Sequence, residues 1–146
     1  MPATGREFTR RTLLFAALAA SLRADAADEV WELLSSAASD LSAGHGDQFL
    51  GAFDSAMPGY QDLRNSVTAL LGQADVQSSI ELVSNEGNEG SRKVEVDWLL
   101  RITGHTDVSG SMSRQERVKC GFEKQGRRWR IVSLEPLSFF APPRPK

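Results

Sequence analysis

At 146 residues, 40% hydrophobic and 25% charged, the chain has the make-up of one globular domain, which excludes wholesale disorder. A formal net charge of −2 argues against non-specific nucleic-acid binding, which needs a basic footprint. The single cysteine, Cys120, excludes an intramolecular disulfide, and its alternation with Val118 and Phe122 reads as a small core residue.

The chain opens on a basic stretch, with Arg6, Arg10 and Arg11 against Glu7. Leu13 to Leu22 is uncharged and apolar. It is about half the roughly 20 residues that cross a bilayer as a helix, and suits the apolar region of a signal peptide. Ala24-Asp25-Ala26 places small residues where a signal peptidase reads them, predicting cleavage after Ala26. Losing residues 1–26 removes four basic and two acidic residues and leaves a net charge of −4. Thr9-Arg10-Arg11-Thr12-Leu13-Leu14 resembles the twin-arginine export motif, whose substrates cross the membrane already folded. A general secretion signal that contains Arg-Arg is the alternative, and an ordinary first helix is the third reading. The expectation is a bacterial periplasmic or extracellular protein that meets the membrane only through its uncleaved signal.

Val30, Leu33, Leu34, Ala37, Ala38 and Leu41 form one helical stripe and predict a helix over 28–43, ended by Gly44-His45-Gly46. Asp47 is placed to cap a short second helix carrying Phe49, Leu50 and Phe53. After the turn Met57-Pro58-Gly59, Leu63, Val67, Leu70 and Leu71 predict a third helix over 60–72, stopped by Gly72. The period then changes to two. Ile80 and Leu82, then Val94 to Ile102, then Val118, Cys120 and Phe122, then Trp129 and Ile131 mark four strands with one apolar and one charged face. That pattern predicts an antiparallel sheet covered on one side, hence an α+β domain over residues 27–140. Residues 114–130 are rich in Arg and Lys, and cross-strand ion pairs on a solvated face account for them; steering of an anionic ligand is the alternative. The tail from Pro136 is read as extended, with Phe139 and Phe140 laid on the domain and 141–146 a Pro-rich end.

Three passages, in this order and spacing, carry a resemblance. They are Gly46-Asp47-Gln48-Phe49-Leu50-Gly51-Ala52-Phe53-Asp54, then Lys93-Val94-Glu95-Val96-Asp97-Trp98-Leu99-Leu100, then Gly126-Arg127-Arg128-Trp129-Arg130-Ile131-Val132-Ser133-Leu134. Together they resemble the nuclear transport factor 2-like, or cystatin-like, fold over residues 28 to about 140. The resemblance implies three helices packed on a curved four-stranded antiparallel sheet, forming a cone. Members include ketosteroid isomerases, polyketide cyclases, dehydratases and non-catalytic binding or dimerisation domains. The isomerases carry a carboxylate base on a hairpin between the second and third helices, opposed by a tyrosine on the first helix. Here Asp54 to Tyr60 is too short for a hairpin, and the first helix has Trp31 and no tyrosine, so neither catalytic role carries over.

From the residues alone, Asp54 with Tyr60 is the best candidate pair for proton abstraction, against the alternative that Asp54 closes its turn. Counting back from Val118 aims Arg114 and Glu116 at the apolar side, where they could orient an anion; a bulge or frayed strand end is the other explanation. Trp31, Phe49, Phe53, Trp98, Phe122 and Trp129, with Arg114 and Glu116, are the candidate pocket, and core packing explains the aromatics equally. His45 and His105 stand apart without a second ligand at metal spacing, and no phosphate loop is present, so neither metal nor cofactor is expected. Two functions remain open. One is a non-catalytic module that takes a small apolar ligand in the cone, or pairs through its sheet with itself or another protein. The other is a small isomerase, cyclase or dehydratase with an acid in the cone.

Overall fold

The computed structural model describes residues 25–106 and 110–143. The expected export segment therefore lies outside the described residues, apart from Asp25 and Ala26. Helix α1 spans Asp25–Ser42, three residues earlier than the stripe alone marks. Val30, Leu34, Ala37, Ala38 and Leu41 are its buried face. Leu33 and Trp31 flank that face, half-buried. The helix stops in a Schellman motif: His45 N donates to Asp40 O and Gly44 N to Leu41 O, with Gly44 at φ 78°. Among the described residues no helix is long and apolar enough to cross a membrane.

That stop sets where the next helix begins. Helix α2 spans Gly46–Leu50, and its first bond runs from Phe49 N to His45 O. Asp47 thus sits inside the first turn and suits the helix dipole; it is not the cap that its position suggested. Phe53 lies beyond α2, in a short parallel bridge: Asp54 N donates to Ile131 O and Ile131 N to Ala52 O. Helix α3 spans Tyr60–Gln73 and buries Leu63, Val67 and Leu70. Gly72 does not end it. The helix runs to Gln73 and passes directly into extended backbone at Ala74.

The sheet is a meander of β1 (Ala74–Gly87), β2 (Ser91–Gly104), β3 (Ser111–Gln125) and β4 (Arg128–Glu135), all antiparallel in the order β1-β2-β3-β4. Its strands are longer than the apolar alternation marks. β1 and β3 extend through Gln77-Ser78-Ser79 and Ser111 to Arg117, polar stretches held by pairing with β2 rather than by burial. Register shifts at Leu82/Ser84 and at Gly121/Phe122 each insert one residue, Val83 and Val132, and such bulges bend the strand that carries them. Val94, Val96, Trp98, Leu100, Ile102, Val118, Cys120, Phe122, Ile131 and Leu134 are buried on the inner face under the helices. Glu95, Asp97, Arg117 and Lys119 lie on the outer face and pair across β2 and β3. The segment after β4 is not extended throughout: Leu137–Phe140 is a 3-10 turn, and Phe139 and Phe140 are buried. Two adjacent aromatic side chains can both leave water only if the backbone curls, and the turn supplies that curl.

Candidate functional site

The cone interior is built around Trp98. Its indole is fully buried, and Nε1–H donates to Ser78 Oγ at 2.7 Å. Phe140 meets Trp98 edge-on at 5.1 Å between ring centroids, and Phe139 stands 6.4 Å from it. Phe49 joins from α2, 5.5 Å from Phe140 and 5.1 Å from Phe53. Such tilted aromatic contacts contribute about 0.5–1.5 kcal/mol each beyond burial. Among the described residues no polar or charged residue is buried.

The turn that delivers Phe139 and Phe140 is held by Arg114. Its Nη1 donates to Phe139 O at 2.6 Å and Ala141 O at 2.7 Å, satisfying carbonyls at the end of the turn. Arg114 lies opposite Leu100 in a regular stretch of the β2–β3 ladder, so alternation alone aims it inward. Glu116, opposite Trp98, shares that side but is exposed. β4 pairs with β3 only from Lys119 onward, so Glu116 lies in the half of β3 whose edge is free.

The candidate base pair is not assembled into a site. Asp54 Oδ1 accepts from Ala56 N at 2.9 Å and Oδ2 from Gln125 Nε2 at 2.7 Å. The Ala56 N–H first, then Gln125 and the Arg130 charge, hold its carboxyl below the usual aspartate range. A base for proton abstraction needs the opposite shift. Tyr60, half-buried at the start of α3, has no hydrogen bond to Asp54. Asp54 therefore closes a turn and ties it to β3. The other pocket candidates divide. Phe49, Phe53, Trp98 and Phe122 are core residues. Trp129 is buried in the same core, with Nε1–H donating to Glu29 Oε2 at 2.6 Å and Lys124 Nζ 6.0 Å from its ring. Trp31 is half-buried on α1. Burial pushes the Cys120 thiol up to about 12, the behaviour of a core residue and not of a nucleophile. Sequence reasoning missed Phe139 and Phe140 as the filling of the cone. The Phe-Phe pair before Ala-Pro-Pro was the available signal, but nothing local says where such a pair docks.

The outer face holds the remaining polar geometry. Arg117 Nε meets Asp97 Oδ1 at 2.9 Å, and Lys119 Nζ lies 3.7 Å from Glu95 Oε1. At the other end of the same face an open groove of about 530 Å³ is lined by Asp75, Gln77, Arg101, Thr103, Ser111, Met112 and Ser113. His105 Nε2 stands 3.2 Å from Asp75 Oδ1 at its edge. No group of three metal-ligating side chains occurs among the described residues.

No family model and no curated protein matches the sequence. Solved structures do match its fold. A candidate aromatic ring hydroxylase from Novosphingobium aromaticivorans superposes with a TM-score of 0.64 at 10% identity, over 75% of this chain and 86% of that one. A nuclear transport factor 2-like protein with a cystatin-like fold from the same organism gives 0.62 at 13% identity, over 80% and 84%. A candidate scytalone dehydratase from that organism gives 0.63 at 7% identity, over 73% and 79%. At such identities the likeness concerns the fold, which is that of the nuclear transport factor 2-like proteins.

Proposed function

We propose that this nuclear transport factor 2-like domain is a non-catalytic binding module that works through the outer face of its sheet and pairs there with a second copy of itself. The observation that carries the reading is the filled cone. The space between helices and sheet holds Phe139, Phe140, Phe49 and Trp98, and Arg114, the cation aimed inward, is spent on the carbonyls of the turn that fills it. A small apolar ligand would first have to displace that turn, and an isomerase or dehydratase would need an acid that the described interior lacks.

The outer face favours self-pairing by its charge pattern. Glu81, Glu95 and Asp97 lie on β1 and β2, beside Arg117 and Lys119 on β3. A two-fold axis over the boundary between β2 and β3 would lay acidic strands on basic ones, the self-complementarity that an isologous contact requires. The reading includes export and a mature chain starting at Ala27. Ala27 O accepts from Asn85 Nδ2 at 3.0 Å, so cleavage after Ala26 keeps α1 tied to β1.

Native mass spectrometry and sedimentation of the exported protein test this together. The expected result is a dimer beginning at Ala27 with no retained small molecule. Asp97→Arg should dissociate it, and Asp97→Arg with Arg117→Asp should restore it. A monomer at every concentration, or a ligand retained in the interior, would overturn the reading.

A further inference from the structure

Among the described residues, Arg101 is an outer-face cation that the sheet leaves unpaired inside a concavity. It is exposed and lines the groove at the Ala74 end of β1. Its neighbours on the same face are engaged: Arg117 with Asp97, Lys119 with Glu95, and His105 with Asp75. Arg101 makes no hydrogen bond or ion pair with any described residue. Its direct cross-strand neighbours, Gln77 and Ser113, are neutral, and the next row brings Asp75, Thr103 and Ser111, with Asp75 Oδ1 already facing His105 Nε2 at 3.2 Å. Three hydroxyls, an amide and, one row away, the Asp75 carboxylate therefore share with the unpaired guanidinium a groove of about 530 Å³, within the usual ligand-site range of about 300–1,000 Å³.

We propose that this groove binds a small monoanionic carboxylate that also carries a hydroxyl as hydrogen-bond donor. The planar guanidinium fork matches a carboxylate through two parallel hydrogen bonds. The hydroxyls of Thr103, Ser111 and Ser113 add neutral donors. Asp75 on the same lining sets the rest of the selectivity: its carboxylate repels a doubly charged phosphate and accepts a hydrogen bond from the ligand's donor. The site rests on the reading of the outer face as the working surface. It lies two rows along the strands from Asp97 and Arg117, separated from them by Ser79, Leu99 and Gln115, which puts it at the margin of a dimer centred on the charged rows.

The test is an NMR titration of the mature protein, following amide shifts at Gln77, Arg101, Thr103, Ser111 and Ser113. The probes are lactate, propionate, phosphate and a short peptide with one glutamate side chain. Saturable shifts confined to these residues are expected, strongest with lactate, weaker with propionate and weakest with phosphate. Arg101→Gln should weaken lactate binding about tenfold or more. Asp75→Asn should erase the preference for lactate over propionate and improve phosphate. Both positions are exposed, and the rest of each spectrum reports whether the variant is folded. If the peptide saturates the groove below the lactate range, the carboxylate comes from a protein; the reverse order makes it a free metabolite. No saturable shift with any probe, or lactate binding unchanged in Arg101→Gln, would overturn the proposal. A dimer that persists with an unresponsive groove would sink this site alone, whereas a monomer with a responsive groove would sink the pairing and keep the site.

Discussion

Trp98 and Asp54 show how one side chain's partners decide what it does. The buried indole N–H of Trp98 has one acceptor, Ser78 Oγ. Ser78→Ala would leave that donor dry and unpaired, costing about 1–3 kcal/mol. Urea unfolding should show a lower midpoint at unchanged m value, with Ser78→Thr recovering most of the loss. For Asp54 the folded-state value is depressed, the Ala56 N–H bond being the largest cause. Its contribution is therefore present above the ordinary aspartate value of about 3.9 and is lost as pH falls through the lower folded value. A carbon-detected NMR titration should find the Asp54 midpoint below the ordinary aspartate value, and Gln125→Ala should move it up. A midpoint above the ordinary value would instead restore Asp54 as a candidate base. At this scale the sequence was readable where the role is local: an aspartate two residues before the amide it accepts is an Asx turn. It was silent on Ser78, whose partner lies 20 residues away.

The 3-10 turn Leu137–Phe140 is the element on which the character of the cone depends. Phe140→Ala would open a cavity beside Trp98 and Phe49 and should cost about 3–5 kcal/mol. Arg114→Ala removes two charge-assisted bonds from the same turn, with an expected cost of about 1.5–3 kcal/mol. Because both act through one element, their effects should fall short of additive in a double-mutant cycle, and full additivity would mean that Arg114 does not hold the turn. Gly59, at φ 80°, adds a second hold: a Cβ there would meet the Leu137 side chain. Helices and strand cores were legible because stripes at 3.6 and alternation at 2 are local patterns. Strand ends were not, since Ser111 to Arg117 carries no apolar period and is a strand only because β2 lies beside it.

Across the whole molecule one core unites every described element, from Val30 on α1 to Phe140 in the 3-10 turn. Cys120 sits in that core near the middle of the sheet, its thiol pushed up to about 12. It should resist iodoacetamide at pH 8 in the native protein and react fully in denaturant, at a rate in between that follows global opening. Alkylation of the native protein at the rate of a free thiol would mean that β3 opens independently of the core. The sequence by itself determined the order of helices before strands and which residues face inward, because both follow from the side-chain direction of each residue relative to its near neighbours. Only the tertiary structure decided what fills the cone, where Arg114 points its charge and that Arg101 stands unpaired in the groove of the outer face. Those outcomes turn on pairs such as Arg114 with Phe139 and Trp129 with Glu29, 25 and 100 residues apart, which no local period encodes.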